Sequence, residues 1–288
     1  MKRRTRFSNT SSRSGERKLN GRNRRPYKTI LLLRELRSRI KGLIKPLIPR
    51  RVRALRQRPI DYRRLSYSQE GEDLILAALF DLEFSQMAGF YVDVGAHHPK
   101  RFSNTFLFYL NGWSGINIDA APGSMLAFQR ERPRDVNIEA AVGEADRALT
   151  FYEFNEPALS SFCRDRVPMG YYGWTIVRER QLTTTTLAHL LEQHLPSGKR
   201  IDFMTVDVEG FGLQVLRSNN WARFRPAVVL VEDDEAIQFN RYCDSSISTY
   251  MLQQGYNYCC KTLLTTFFVD QGQVESTLRG SRVRPRSR

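Results

Sequence analysis

Short continuous apolar runs and longer amphipathic stretches take turns along residues 65–278. The runs at 90–94, 115–119, 136–142, 202–207 and 227–232 are five to seven residues long, rich in Val and Ile, and predict strands. Between them, apolar residues recur at helical spacing over 69–84, 105–111, 123–132, 186–194, 211–218 and 247–254. The expected boundaries have local causes. Ser68 suits an N-cap, Gly112 a helix stop, and Pro133 ends the helix before it. A further strand is expected at 149–154, and strands at 256–262 and 266–269 pair as a terminal hairpin. The stretch 150–180 otherwise reads as a long irregular loop. Strand–helix alternation of this kind means an α/β fold: a mostly parallel sheet covered by helices on both faces, here with an antiparallel edge hairpin.

The pattern is different at both ends. Residues 1–26 are Arg, Lys, Ser, Asn and Gly with almost nothing apolar, a composition that cannot offset the entropy of ordering; a disordered basic tail is expected, and another at 279–288. In 27–48, Leu32, Leu33, Leu36, Ile40, Leu43 and Ile44 form one apolar helical face opposite a basic one. Residues 27–64 thus read as a basic amphipathic extension. It would pack on the domain, lie on an anionic membrane surface or meet an acidic partner. Charges interrupt it too often to span a bilayer, and its apolar run is too short for a secretory signal. The net charge of +15 hides this division. Residues 1–64 hold 23 Lys/Arg against 3 Asp/Glu, residues 65–278 hold 17 against 27, and residues 279–288 hold 5 against none. An acidic core, with no aromatics interleaved among the terminal arginines, argues against a specific nucleic-acid substrate.

The candidate chemistry starts at the first strand. Phe90-Tyr-Val-Asp-Val-Gly ends in Asp93 and Gly95, and the second strand ends in Asp119, 24 residues after Gly95. That spacing suits an acid accepting hydrogen bonds from a ribose diol, with Gly95 letting the backbone approach a ligand. A dinucleotide site needs Gly-x-Gly-x-x-Gly, whereas this loop reads Gly-Ala-His-His-Pro; a nicotinamide-dependent oxidoreductase is disfavoured. No Gly-Lys-Ser/Thr loop offers a triphosphate site. A nucleoside without phosphates remains, and S-adenosylmethionine is the common one.

Six motifs then occur in order: Tyr67-Ser-Gln-Glu-Gly-Glu-Asp-Leu, Asp93-Val-Gly-Ala, Ser103-Asn-Thr, Gly112-Trp-Ser-Gly-Ile-Asn-Ile-Asp, Asn137-Ile-Glu-Ala-Ala-Val-Gly and Asp207-Val-Glu-Gly. Together they resemble the FkbM-type methyltransferases, over roughly residues 66–270. The resemblance implies a Rossmann-like class I methyltransferase domain at 65–278 with a seven-stranded sheet. It also implies S-adenosylmethionine as cofactor and methylation of a hydroxyl on a sugar, glycan or secondary metabolite. Where many members have a second glycine after Asp-x-Gly-Ala, this chain has His97-His98-Pro99.

Site residues follow from the motifs. Asp119, with Ala120 beside it, is expected on the ribose; Ala141 and Val142 flank the adenine. Asp93 orients the loop or meets the cofactor's methionine ammonium, and Gln69 and Asn104, by resemblance, help close the site. Asp207 and Glu209 fall on one side of a strand end, where two carboxylates are costly unless a cation or a shared proton lies between them. They are candidates for general base or cofactor orientation, or for holding a divalent metal such as Mg²⁺. His97 is a further candidate base, since imidazole takes a hydroxyl proton near neutral pH. Tyr152, Phe154, Phe162, Tyr171, Tyr172 and Trp174 are expected at an acceptor site. No Cys-x-x-Cys suggests zinc, and the four cysteines read as free thiols in a reducing cytoplasm. A different class fits the same fold: a non-catalytic scaffold with basic arms, which predicts weak cofactor binding or none.

Overall fold

Strands β1 (Phe90–Val94), β2 (Ser114–Asp119), β3 (Val136–Glu139), β7 (Phe203–Val206) and β8 (Val228–Glu232) form the parallel part of a seven-stranded sheet. A computed structural model describes residues 63–82, 88–144, 147–166, 171–237 and 244–273. The tails at 1–26 and 279–288 and the amphipathic segment 27–48 lie outside the described residues. The chain divides into units Met1–Arg64 and Leu65–Arg288, and the sheet belongs to the second. Among the described residues no helix is long and apolar enough to cross a membrane.

Strands β9 (Tyr256–Lys261) and β10 (Thr265–Asp270) pair antiparallel with each other, and β10 with β8, which gives the expected edge hairpin. The full strand order is β3-β2-β1-β7-β8-β10-β9. Strand alternation divides the core into two layers. Phe90, Val92 and Val94 of β1 pack with Leu187, Leu190 and Leu191 of α4 (Leu187–His194), Val215 and Leu216 of α5 (Gly212–Arg217) and Met251 of α6 (Ser246–Gln253). Tyr91, on the opposite face, joins Leu76 of α1 (Glu72–Leu79), Phe108 of α2 (Phe106–Leu110) and Phe203. Every residue of β1 is therefore buried, which explains its unbroken apolar run. Helix α3 (Met125–Glu131) buries Met125 and Phe128 against Ala96, beside the loop after β1.

Three expectations are corrected. The run 136–142 is not one strand: residue 140 ends its pairing in the main sheet, and β4 (Ala141–Val142) joins a separate three-stranded sheet. Its strand at 148–154 matches the one expected at 149–154, whereas its longest strand begins inside the stretch read as a loop. Strands β5 (Ala148–Phe154) and β6 (Ile176–Thr185) pair antiparallel, and β4 runs parallel to β6, in the order β4-β6-β5. Strand β6 faces solvent over most of its length, so its charged residues hid it. Ser68 is not an N-cap: α1 begins at Glu72 from Gly71, in a left-handed conformation and with no side-chain cap, whereas α4 has one, Thr186 Oγ1 accepting the N–H of His189 at 3.1 Å, which stabilises by about 1 kcal/mol.

Candidate functional site

Sequence order along the sheet reverses between β1 and β7. In an open α/β sheet the crevice beyond the carboxyl ends of such strands receives the ligand. A cavity of about 480 Å³ lies there, lined by Gly95, His97, Asp119, Ala120, Val142, Asp207 and Glu209, with Phe151, Phe154 and Phe162 from the small sheet and the turns after it. A second hollow of about 40 Å³ shares Gly95, His97, Asp207 and Glu209 with it and adds Gln69, Asp93 and Asn104. The candidate residues thus assemble around two adjoining spaces, with one exception. Ala141 is buried but lines neither, because alternation turns its neighbours Ala140 and Val142 to the cavity instead.

Gly95 has a cause other than ligand approach. Its φ is +84°, and a Cβ there would stand 1.7 Å from the Asp207 carbonyl oxygen. The glycine lets the loop after β1 pass against the end of β7. Asp119 is buried, and its two oxygens accept the N–H groups of Ala121 and His97 at 2.8 Å each. Burial pushes its carboxyl above the ordinary range while those amides pull it down. A carboxylate offers about four lone-pair sites, so acceptor capacity remains after the loop is tied.

The two histidines have different environments. His98 Nδ1 accepts the N–H groups of Lys100 and Arg101 at 3.0 and 2.9 Å, which caps the loop. His97 lines both spaces from a left-handed backbone position (φ 49°), and burial lowers its pKa, against the pull of Asp119. Arg101 closes one rim with a paired hydrogen bond to Glu156 at 2.9 and 3.1 Å.

Asp207, Glu209 and Glu232 bring carboxylate oxygens within 4.8 Å of one another. Strand alternation does not do this. Strand β7 stops at Val206, and a turn with Glu209 at φ 51° folds that carboxylate back. Ser161 Oγ donates to the Glu209 carbonyl at 2.7 Å and ties the turn to the small-sheet region. Burial, then the charges of Glu232 and Glu209, push the Asp207 carboxyl well above its ordinary value, and Asp207 and Glu232 share a hydrogen bond. Two acids that follow Glu232 in the chain serve the next helix instead: Asp233 accepts from Ser245 Oγ at 2.6 Å and Glu235 from Ser246 N at 2.8 Å, both at the start of α6.

Of the expected acceptor-side aromatics, Phe154 and Phe162 line the cavity, joined by Phe151 and Phe211. The Phe162 ring centroid lies 5.1 Å from that of Phe151 and 5.3 Å from that of Phe211. Tyr152 does not line it, Tyr172 is 77% exposed and packs on Trp174, and the Tyr171 side chain lies outside the described residues.

A group that the pattern does not reveal lies beneath the smaller hollow. Arg132 is fully buried and pairs through Nε with Asp135 Oδ2 at 2.8 Å. Tyr91 Oη, Gly115 N and Asn117 Nδ2 also donate to Asp135. In one dimension Arg132 is only the end of a helix before Pro133. The signal available is indirect: Tyr91 and Asn117 put polar groups into strands buried on both faces, and such groups need partners.

Strand order, edge hairpin and a cavity at the switch point define the Rossmann-like α/β fold of the class I methyltransferases. The model of the Methyltransferase FkbM domain matches residues 93–258, more than half of the chain, and the protein belongs to that family of S-adenosylmethionine-dependent methyltransferases. Two similar solved structures are a Streptococcus thermophilus protein named as a hemolysin and an O-methyltransferase from Bacillus cereus in complex with SAH. The first is 11% identical with a TM-score of 0.37, over 77% of this chain and 76% of that one. The second is 11% identical with a TM-score of 0.35, over 80% and 96%. The fold assignment rests on the strand order, not on these likenesses. Comparison with curated proteins gives no match.

Proposed function

We propose that the protein transfers a methyl group from S-adenosylmethionine to a hydroxyl of a small acceptor: a sugar, a glycan or a secondary metabolite. One observation carries the reading. A ribose-competent acid (Asp119) and an acid cluster (Asp207, Glu209 and Glu232) meet at the switch point, under an aromatic wall from a second sheet. The residues present fit the cofactor. The cavity is of nucleoside-binding size, Asp119 keeps acceptor positions after the loop is tied, and Ala140, Val142 and Ile118 offer an apolar face for adenine.

When bound, S-adenosylmethionine supplies an electrophilic methyl group on a positively charged sulfur. The chain's own part is to bind, orient and move a proton. Asp119 holds the ribose hydroxyls and Asp93 faces the ammonium of the amino-acid end. Phe154, Phe162 and Phe211 keep water from the acceptor. For the hydroxyl oxygen to take the methyl group, whose bond to sulfur would break with loss of a neutral thioether, the acceptor proton must leave. His97 or the Asp207–Glu232 pair takes it; burial and the neighbouring acids raise the proton affinity of Asp207. Holding two reactants at near-attack distance supplies several kcal/mol of the rate enhancement, on the order of 7–11 in well-oriented cases. A cytoplasmic location, with 27–48 resting on an anionic membrane, is part of the same proposal.

Calorimetric titration with S-adenosylhomocysteine tests it, with NAD as control. Saturable binding, weakened at least about tenfold by Asp119→Ala, is expected, with no response to NAD. Absence of binding by a folded protein would favour the scaffold reading. Turnover of a hydroxylated acceptor unchanged by EDTA would assign the acid cluster to proton transfer, and dependence on Mg²⁺ would assign it to a cation.

A further inference from the structure

Asp93 lines the smaller hollow, and its carboxylate is held from beneath. Its Oδ2 accepts a hydrogen bond from Thr105 Oγ1 at 2.7 Å. Thr105 Oγ1 in turn stands 3.0 Å from both Nη1 and Nη2 of Arg132. A guanidinium can only donate, and a hydroxyl has two lone pairs and one proton. With both lone pairs turned to Arg132, the Thr105 proton has one strong acceptor left, Asp93. Ser103 Oγ, 3.2 Å away, is already taken up by the N–H of Phe106 at 3.1 Å.

Arg132 is itself immobilised. Its Nε is on Asp135 and its Nη2 also reaches Tyr91 Oη at 2.8 Å, so the fork cannot rotate without leaving a buried donor unpaired. We propose that Arg132, acting through Thr105, is a positioning residue for cofactor binding: it fixes one oxygen of Asp93 inward so that the other is presented to the hollow. This rests on the reading of Asp93 as partner of the cofactor's ammonium. Among the described residues no other hydrogen bond reaches the Asp93 carboxylate, which leaves Oδ1 for a ligand.

The charges facing Asp93 are those of Arg132, Asp119, Asp135 and Asp207. Three are acids, and Asp135 is already paired with the arginine. The relay therefore favours the ionised form of Asp93 against burial and against its acidic neighbours. Without the Thr105 hydroxyl the charged form is less favoured, and an ammonium should be released at a higher pH than in the wild type.

The test is calorimetric titration of the full chain at several values between about pH 5 and pH 8, spanning carboxylate ionisation. The ligands are S-adenosylhomocysteine and 5′-methylthioadenosine, which lacks the amino-acid end. Thr105→Val should weaken S-adenosylhomocysteine about tenfold, as for a hydrogen bond to a charged group, and shift the pH of half-loss upward. It should leave methylthioadenosine unchanged, and Thr105→Ser should behave as wild type. A wild-type affinity and pH profile in Thr105→Val overturns the relay. So does equal weakening of both ligands that Ser does not rescue, because that is a packing effect. Asp93→Asn separates the two claims. If it leaves S-adenosylhomocysteine binding intact, the ammonium reading fails and the relay with it. If it weakens binding while Thr105→Val does not, the relay alone fails.

Discussion

Gly95→Ala asks whether a motif glycine answers to the ligand or to the chain. Two costs can be read from the backbone. The first is conformational: at φ +84° a Cβ meets its own carbonyl, about 1–2 kcal/mol. The second is steric. The new methyl would stand 1.7 Å from the Asp207 carbonyl oxygen, a backbone atom on the end of β7 that no rotamer change can move. Relief by a backbone shift costs roughly 1–3 kcal/mol. The sum is about 2–5 kcal/mol, a large share of the stability of an ordinary domain. Gly198→Ala isolates the first cost, since that glycine has φ +72° and a methyl added to it would meet nothing within 4 Å. Urea unfolding of wild type and both variants gives the two numbers. Gly95→Ala should lower the midpoint at least about one and a half times as far as Gly198→Ala, with unchanged slope. Should Gly95→Ala unfold like Gly198→Ala and yet lose S-adenosylhomocysteine, the glycine serves ligand approach and the packing argument is wrong.

Two further outcomes follow from charge. Burial raises the Asp93 carboxyl to about 6, with Arg132 and Thr105 pulling it back. The folded state then keeps its proton where the unfolded chain has lost it, so this group's contribution to stability falls as pH rises from about 4 to about 6, by up to about 3 kcal/mol. Asp93→Asn should flatten that fall in urea titrations at the two ends of the window; parallel profiles for wild type and variant would count against it. Arg101→Met should change the melting temperature little, because an exposed ion pair contributes under about 1 kcal/mol. The Arg101–Glu156 link closes one rim of the cavity, so stopped-flow release of S-adenosylhomocysteine should speed up several-fold. An unchanged rate would show that the link does not restrain the rim.

What can be read from sequence follows burial. Strand β1 is buried on both faces, so Phe90–Val94 stands out as an apolar run, and Asp93 and Gly95 at its end are legible with it. Strand β6 is not, because a half-exposed ribbon carrying Arg178, Glu179 and Arg180 looks like a loop; its cues are the β-branched residues at its two ends, Ile176 and Val177 and the run Thr183–Thr185. The break at Ala140 is equally silent, since Ile138 and Val142 keep the alternation of one strand while belonging to two sheets. The acid cluster is legible at Asp207 and Glu209, but through strand periodicity, whereas a turn at Glu209 makes it. Arg132 and Asp135 lie outside any motif, since a charged residue gives no sign in one dimension that the fold will close over it.

The small sheet sits inside the connection that carries the chain from the β3 edge across to β7. The connection crosses over the catalytic end of the sheet, so its inserted strands become the wall facing the cofactor crevice. On the reading proposed above, most of the aromatic wall and the ribose-side acid come from separate stretches of chain: residues 148–166 carry Phe151, Phe154 and Phe162, and the β1 and β2 ends carry Asp93 and Asp119. If that reading holds, exchange of the first stretch between relatives should change the acceptor while leaving the order of the seven strands and Asp119 untouched.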